Sequence, residues 1–256
     1  MLSERPGAPP HLSFCDVSYQ VGGRSVLDRL SFQVCLGETL VLLGRSGSGK
    51  TTALRLINRL LEPTSGSISI EGRDTRAFDP IELRRGIGYV IQEFGLLPHW
   101  TVDQNISLVP RLLGWPPARR KEKAVELLAQ VGLGPDIGAR RPHELSGGQR
   151  QRVAVARALA AGARLLLFDE PFGALDPVTR HEMQQQFLAV RANFQVASVF
   201  VTHDLVEALT IATRIAVLDR GKLEALATPA EFSHVQTPTA RAFLDTLPKE
   251  MLGPRA

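Results

Sequence analysis

The sequence is poor in cysteine and has no long apolar run. It contains two cysteines, Cys15 and Cys35, too few for a disulfide framework and without metal-ligand spacing; we expect reduced thiols, as in cytosolic proteins. Its apolar runs, such as TLVLLG and RLLLF, are far shorter than the roughly 20 residues of a membrane-spanning helix. The first ten residues lack the apolar core of a signal peptide. We therefore predict a cytosolic chain that reaches a membrane only through partners.

Charge and composition are those of an ordinary globular protein. The 256 residues are 44% hydrophobic and 22% charged, with a net charge of +4. The basic residues are scattered, and only RRKEK at 119–123 approaches a cluster. We interpret that cluster as a solvated helix start and expect no nucleic-acid partner.

Apolar periodicity predicts an α/β fold. Strand patterns bounded by turn residues recur along the chain, and VGGR and DRGK each mark a hairpin. Helical spacing of Leu54, Ile57 and Leu61 follows a glycine-rich loop. The range 101–161 has no strand signals and contains one helical stripe, formed by Ala124, Leu127, Leu128 and Val131. We predict a flexible leader over 1–10, one domain over 11–246 with the helical part at 101–161 inserted in the α/β core, one or two short helices after Thr228, and a tail over 247–256.

The segment GRSGSGKT at 44–51 matches the phosphate-loop pattern between a strand and a helix. Its glycines let the backbone wrap phosphates, its lysine reaches the β- and γ-phosphates, and its threonine ligates Mg²⁺. The alternative is a flexible Gly/Ser turn. The predicted phosphate-binding residues are Gly44, Arg45, Ser46, Gly47, Ser48, Gly49, Lys50, Thr51 and Thr52.

Three further strand ends carry polar side chains that suit phosphate hydrolysis. RLLLFDEP delivers Asp169 as a ligand of Mg²⁺ and Glu170 as a base for the attacking water. VTHD places His203 at the same sheet edge, where it can bond the γ-phosphate. Gln92, after GIGYVI, can approach the metal and the water. Alone, each of these residues is weak evidence; beside the phosphate loop they predict a nucleotide-hydrolysing site.

The segment LSGGQRQR at 145–152 predicts a second anion-binding helix start. Ser146 followed by Gln149 fits a capping box, which leaves backbone N–H groups of the first turn facing outward. One chain with a complete phosphate loop does not by itself need this second site.

Together these motifs resemble the ATP-binding cassette (ABC) ATPases. The resemblance runs from Tyr19 to about Leu244 and rests on GRSGSGKT, VIQEFG, LSGGQRQR, LLLFDEP, GALD and VTHD in the family's order. It implies a P-loop NTPase core, an N-terminal antiparallel β subdomain and an inserted α-helical subdomain. It also implies ATP and Mg²⁺ as cofactors, and a Tyr19 that stacks on adenine, although a plain strand tyrosine is the alternative.

The resemblance explains the second anion site. In this family two copies meet head to tail around two ATP molecules, so the residues acting in trans on a partner's nucleotide are Ser146, Gly147, Gly148, Gln149 and Asp176. Phe94, Leu96, Leu97 and Trp100 are expected to border the groove for a membrane permease subunit, and core packing explains some of them equally well. A solute-binding protein is an indirect partner, and the chain is expected at the cytoplasmic face of the inner membrane.

The segment GYVIQEFGLLPHWTVDQNISLVPRLLGWP is similar to the corresponding segment of the ATPases of glycine betaine, choline and related osmoprotectant importers. Amino-acid and other small-solute importers remain an alternative, as does a non-transport cassette ATPase, which usually has two cassettes or a long insertion. An adaptor that no longer hydrolyses is disfavoured by the intact Lys50, Asp169, Glu170 and His203. Too few residues follow FSHVQTPTARAFLDTL for the regulatory domain of many osmoprotectant ATPases, so we do not expect ionic strength to be sensed by such a domain.

Overall fold

The computed structural model describes residues 9–91, 95–173 and 176–247. They fall into two compact units: unit 1 contains the residues up to Pro80 and those from Ala197 onward, and unit 2 contains Ile81–Val196. The strands of the described ranges are β1 (Leu12–Val21), β2 (Arg24–Val34), β3 (Thr39–Leu43), β4 (Ser65–Ile70), β5 (Arg73–Asp74), β6 (Ile87–Val90), β7 (Leu165–Asp169), β8 (Ala197–Thr202), β9 (Arg214–Asp219) and β10 (Lys222–Ala227). The α-helices of those ranges are α1 (Lys50–Ile57), α2 (Pro80–Gly86), α3 (Val102–Ile106), α4 (Leu108–Leu112), α5 (Pro117–Gln130), α6 (Gly147–Leu159), α7 (Pro177–Phe194), α8 (Leu205–Ile211) and α9 (Pro238–Leu244).

Unit 1 combines an antiparallel sheet with parallel strands. β1 pairs antiparallel with β2 and β4, and the short β5 extends β4. β3 lies parallel between β8 and β9, and β10 continues antiparallel from β9. Every residue of β3 and β8 is buried, which is typical of parallel strands covered on both faces.

Two predicted hairpins of unit 1 are confirmed. Gly22 and Gly23 turn β1 into β2, and Arg220 and Gly221 turn β9 into β10, all four with positive φ. Because this backbone region strains residues with a Cβ, glycine is the favoured residue at such turns. Thus local turn chemistry sets both hairpins.

The helix that follows the phosphate loop ends earlier than its apolar spacing predicts. α1 ends at Ile57, so Leu61 lies beyond it. The Asn58 side chain accepts a hydrogen bond from the N–H of Leu60 at 3.2 Å, and Arg59 has a φ of 52°. The prediction of a helix through Leu61 was therefore wrong, because this local side-chain bond and left-handed residue end the helix.

Unit 2 packs helices around two parallel strands. β6 and β7 pair in register from Ile87 and Leu165 to Val90 and Phe168. Phe168 meets Phe187 of α7 edge to face, with ring centroids 5.2 Å apart. Between Thr101 and Ala161 the structure contains helices and turns but no strand, as the sequence predicts.

Two further findings bear on the first expectations. Both cysteines are free. Across the described ranges, no helix combines the length and the apolarity needed to cross a membrane.

The 18-residue α7 and the two-residue β5 were not predicted from the sequence.

Candidate active site

The phosphate loop joins β3 to α1 in unit 1. Gly47 and Gly49 have φ values of 80° and 101°, in the left-handed region that glycine occupies without strain. A Cβ on Gly49 would lie 2.5 Å from Cδ2 of Leu27 and 3.1 Å from the carbonyl oxygen of Val26. Glycine at position 49 is thus required both by backbone conformation and by the close approach of β2.

Hydrogen bonds from a buried side chain and from a neighbouring turn hold the loop in this shape. The Lys50 side chain is buried and donates from Nζ to the carbonyl oxygens of Gly44 and Arg45, at 2.8 and 3.0 Å. From the outside, the N–H of Gly221 donates to the carbonyl oxygen of Ser48 at 3.1 Å. The hairpin between β9 and β10 therefore braces the loop, and the lysine charge lies against the loop backbone.

Ser48 carries a polar group that fits a phosphate. Within the described residues, its Oγ is buried and makes no hydrogen bond, whereas buried hydroxyls are normally paired. Arg45, Ser46 and Gly47 are exposed, so the tip of the loop is open to a ligand. The loop also precedes the first turn of α1, and the backbone N–H groups at a helix start favour anions.

His203 lies at the carboxyl end of the strand next to the phosphate loop. β3 and β8 are parallel, and Leu43 pairs with Thr202, so Gly44 and His203 both follow the same edge. His203 is exposed. The hydroxyl of Thr202 accepts the N–H of Asp204 at 3.0 Å, and Asp204 caps α8, which fixes the chain on the far side of His203.

Tyr19 is in the same unit, on β1. It is half-buried and pairs in register with Leu27 of β2, the residue whose side chain lies against Gly49. The β1 ladder is irregular on both sides of Tyr19. Leu27 of β2 therefore links the two predicted contacts: it pairs with Tyr19 in the sheet, and its side chain lies against Gly49 of the phosphate loop.

Asp169 and Glu170 lie at the carboxyl end of β7 in unit 2, both half-buried. Tyr89 of the neighbouring β6 donates its hydroxyl to Oδ2 of Asp169 at 3.2 Å. Glu170 has a φ of 46°, a conformation that residues with a Cβ adopt at a cost and that is common at functional sites. Its carbonyl oxygen accepts the N–H of Gly173 at 3.2 Å.

Sequence reasoning missed Tyr89 as a partner of Asp169. The available signal was its place in GIGYVI, one residue before the last residue of a strand parallel to RLLLFD. Gln92, the other predicted residue on this side, lies outside the described residues, as does Phe94.

The helix start of LSGGQ is in unit 2 and has the predicted capping box. The Ser146 hydroxyl accepts the N–H of Gln149 at 3.2 Å, and the Gln149 side-chain oxygen accepts the N–H of Ser146 at 3.0 Å. Ser146 is exposed, whereas Gly148 is buried. A Cβ added to Gly148 would lie 3.2 Å from Cε of Met183 on α7. The turn therefore presents its serine outward and packs its second glycine inward.

Asp176 caps α7 and is exposed. Its Oδ1 accepts the N–H groups of Val178 and Thr179 at 3.1 and 3.0 Å, and its Oδ2 accepts the Thr179 hydroxyl at 2.6 Å. The Thr179 hydroxyl, followed by the Thr179 N–H, holds the pKa of Asp176 below its ordinary value. Asp176 thus has a structural role within its own chain besides any role at an interface.

Comparison with known proteins adds a family and a fold. Residues 27–173 match the family model described as ABC transporter. The chain is 51% identical to the glycine betaine/carnitine/choline transport ATP-binding protein OpuCA of Bacillus subtilis over 210 residues, which cover 82% of this chain and 55% of that protein. It spans about half the length of the curated relatives it matches first.

Two solved structures share its architecture. CbiO1 from Clostridium perfringens, part of the ABC transporter complex cbiONQ, aligns with a TM-score of 0.81 and 25% identity, over 87% of this chain and 90% of its own. The ATP-binding cassette MJ0796, in a dimeric post-hydrolysis state bound to ADP and Pi, aligns with a TM-score of 0.72 and 33% identity, over 85% and 98%. The fold is that of an ABC nucleotide-binding domain, with antiparallel β, parallel β and helical parts, as the resemblance implies.

Proposed function

The chain belongs to the ABC transporter family, and from this premise we propose that it hydrolyses ATP as the cytoplasmic ATPase subunit of a bacterial importer. Residues 11–246 act as one ATPase domain, with the helical part at 101–161. The observation that carries the proposal is the phosphate loop, whose glycine conformations, buried lysine and unpaired Ser48 hydroxyl suit a nucleoside triphosphate.

Nucleotide recognition is assigned to residues of unit 1. The N–H groups from Gly47 to Thr52 donate to phosphate oxygens, and Lys50 exchanges its bonds with loop carbonyls for the β- and γ-phosphates. Tyr19 stacks on the adenine, a contact worth roughly 1–3 kcal/mol. The binding residues in this unit are Tyr19, Gly44, Arg45, Ser46, Gly47, Ser48, Gly49, Lys50, Thr51 and Thr52.

Thr51 and Asp169 are the proposed protein ligands of Mg²⁺, with Gln92 as a third. Hydroxyl and carboxylate oxygens are the donors this ion prefers, and it commonly takes one or two carboxylates beside substrate phosphates. The Tyr89 hydroxyl orients Asp169 for this role. When bound, Mg²⁺ neutralises charge that develops on the phosphate oxygens.

The hydrolytic step is assigned to Glu170, His203 and Gln92. Glu170 accepts a proton from the water that attacks the γ-phosphorus, which breaks the bond to the bridging oxygen of ADP and leaves inorganic phosphate. His203 donates a hydrogen bond to the γ-phosphate, and the Gln92 amide positions the water. The preorganised donors of the loop stabilise the charge that develops in the transition state.

The proposed partner in catalysis is a second copy of the chain. Ser146, Gly147, Gly148 and Gln149, together with Asp176, face the nucleotide held by the other copy, so each complete site is built from two chains. The exposed Ser146 at a capped helix start favours this role, and the dimeric state of MJ0796 offers a precedent.

Further partners are proposed from the relatives. A transmembrane permease pair holds the two ATPase subunits at the cytoplasmic face of the inner membrane, and a solute-binding protein delivers the solute. Given the 51% identity to OpuCA, the solute is an osmoprotectant such as glycine betaine, choline or a related quaternary amine; another small solute, such as an amino acid, is the alternative. Nucleic acid has no part in this function.

Glu170→Gln tests the proposal. A neutral amide cannot take the proton, so turnover falls by about 10²–10⁴-fold, while ATP binding persists and the variant accumulates as an ATP-bound dimer. Phosphate release, nucleotide binding and light scattering after size exclusion, with and without Mg-ATP, measure the three effects. Glu82→Gln, an exposed carboxylate on α2, is the matched control. Normal turnover in Glu170→Gln would remove this residue from the mechanism, and absence of ATP hydrolysis in the unmodified chain with its permease would overturn the function.

A further inference from the structure

Helix α7 has a buried face to which the proposed function gives no role. Met183 and Phe187 lie four residues apart, and therefore on one face of the helix, and their side chains are buried. Asp176 caps the start of the same helix and is exposed. α7 thus carries one residue of the proposed interface between two copies and packs two others into unit 2.

Met183 lies against the inner side of the turn at 145–149, which we call the LSGGQ turn. A Cβ on Gly148 would stand 3.2 Å from Cε and 3.5 Å from Sδ of Met183. Gly148 is the buried glycine of this turn, whereas Ser146 is exposed. A side chain packed against the inner glycine sets how far the exposed serine and the backbone N–H groups of the turn project from the protein.

Phe187 fixes the same face of α7 to the end of β7. Its ring meets that of Phe168 edge to face, with centroids 5.2 Å apart and planes at 86°. Phe168 is buried and directly precedes Asp169. Because edge-to-face aromatic pairs favour a defined geometry, this contact holds α7 in place against the strand that delivers Asp169 and Glu170.

A small cavity beside Met183 leaves its side chain room to adjust. The cavity has a volume of about 20 Å³ and is lined by Val131, Gln151, Val155 and Phe187, among others. Methionine is unbranched and has three rotatable bonds, so its thioether adapts to shifts of its neighbours. The contact with Gly148 can therefore persist when the LSGGQ turn moves slightly.

We propose that Met183 is a positioning residue for ATP hydrolysis. It sets the LSGGQ turn of one copy at the height that the nucleotide of the other copy requires, and Phe187 ties this height to Asp169 at the end of β7. Met183 is buried and acts through Gly148. Packed interiors transmit small displacements in this way. The inference rests on the proposed function and deepens it, because it names the contact that links the two half-sites of one chain.

Met183→Ala tests the positioning role by separating turnover from binding. Loss of the thioether removes the support under Gly148, so kcat for phosphate release should fall about 2–30-fold. The phosphate loop belongs to unit 1, so the affinity for ATP should stay within about twofold of that of the unmodified chain. Met183→Leu fills a similar volume and should keep kcat within about threefold. An unchanged kcat in Met183→Ala would overturn the inference.

Leu127→Ala controls for general destabilisation. Leu127 is fully buried on α5 in the same unit, so its truncation also leaves a cavity and lowers the urea concentration of half-unfolding. Measured below the unfolding range, its kcat should stay within about twofold of that of the unmodified chain. An equal loss of kcat in Leu127→Ala and Met183→Ala would show that loss of stability alone explains the effect.

Methionine methyl groups give a readout that does not depend on turnover. The chain has three methionines, and the NMR signal of Met183 is the one that Met183→Leu removes. In Glu170→Gln carrying ¹³C at the methionine methyl groups, Mg-ATP should shift the Met183 signal, because engagement of the LSGGQ turn by a second copy presses on Gly148. Mg-ADP, which has no γ-phosphate, should leave this signal in place.

Light scattering on the same samples separates two kinds of failure. An ATP-dependent dimer in which the Met183 signal does not move would overturn the inference and leave the proposed function intact. Bound ATP without a dimer would contradict the role of the LSGGQ turn on a second copy, and the inference would fall with it. An equal shift with Mg-ADP would show that the Met183 signal reports nucleotide binding in its own chain, which also overturns the inference.

Discussion

The backbone of Gly49 lies directly against the side chain of Leu27. A Cβ added to Gly49 would lie 2.5 Å from Cδ2 of Leu27. β2, a strand of the antiparallel sheet, thus touches the last residue before α1. Gly221 supports the loop from the β9–β10 turn, and it packs so closely on β2 that a Cβ at this position would clash with the carbonyl oxygen of Val26. The phosphate loop is therefore shaped by β2 and the β9–β10 turn as well as by its own glycines.

Gly49→Ala should displace the phosphate loop. It combines a strained φ, which costs on the order of 1–2 kcal/mol, with a clash against Leu27, so both the free energy of unfolding and ATP affinity should fall. Gly72→Ala is the control, because Gly72 has a φ of 77° and open space around its Cβ position. Thermal unfolding should show a loss of stability in both variants, larger in Gly49→Ala because of the clash, and nucleotide titration should show a loss of ATP binding in Gly49→Ala alone. Equal ATP affinity in the two variants would mean that the contact with Leu27 does not shape the loop.

Tyr89→Phe should weaken the binding of Mg²⁺ that hydrolysis requires. The variant removes the hydroxyl that orients Asp169, a bond worth about 1 kcal/mol, so the Mg²⁺ concentration for half-maximal activity should rise about fivefold. Tyr19→Phe removes the other tyrosine hydroxyl of the chain and keeps the ring, so it should leave the Mg²⁺ titration unchanged. A Tyr89→Phe titration identical to the unmodified one would show that Asp169 needs no such support.

Ser146→Ala tests whether the capped helix start acts beyond its own helix. Loss of the cap should cost about 1 kcal/mol of stability. Thr101 forms the same capping box with Gln104 on α3, so Thr101→Ala should cost a similar amount. Unfolding in urea should show comparable losses, while ATP turnover should fall only in Ser146→Ala, with ATP binding kept. Unchanged turnover would leave Ser146 with a structural role alone.

Acid should remove the stabilisation that Asp176 gives to α7. Its pKa is lowered in the folded protein, so this stability is fully present above the ordinary pKa of 3.8 and is lost as the pH falls through the folded value. Thr179→Val removes the hydroxyl that contributes most to the lowered pKa. The variant should be less stable than the unmodified chain near pH 7, and the difference should shrink as the pH falls below about 3.8.

Urea unfolding across this pH range measures the Asp176 effect. Thr210→Val is a matched control, because the Thr210 hydroxyl bonds the carbonyl oxygen of Val206 instead of a carboxylate. Its effect on stability should not vary between neutral and acid pH. A pH-independent effect of Thr179→Val would show that the Asp176 carboxylate does not titrate with folding.

Much of the fold was predictable because local sequence patterns specify it. The mostly apolar, fully buried β3 and β8, the hairpins at Gly22 and Arg220, and the capping box of Ser146 each depend on neighbouring residues, so the sequence predicts them. α7 was not predicted, because its buried face includes Gln184 beside Met183 and Phe187. A polar residue on the buried face interrupts the helical spacing of apolar residues on which the prediction depends.

The sequence by itself determined which groups we propose for the chemistry of this protein: a phosphate loop, a DE pair, a histidine after a strand and a second capped helix start, each identified from residue type and spacing. The tertiary structure decided which distant residues support them. Leu27 under Gly49, Tyr89 on Asp169, and Met183 against Gly148 are contacts between residues far apart in the chain. No local pattern encodes them, because they arise only when strands pair in register and helices pack side by side.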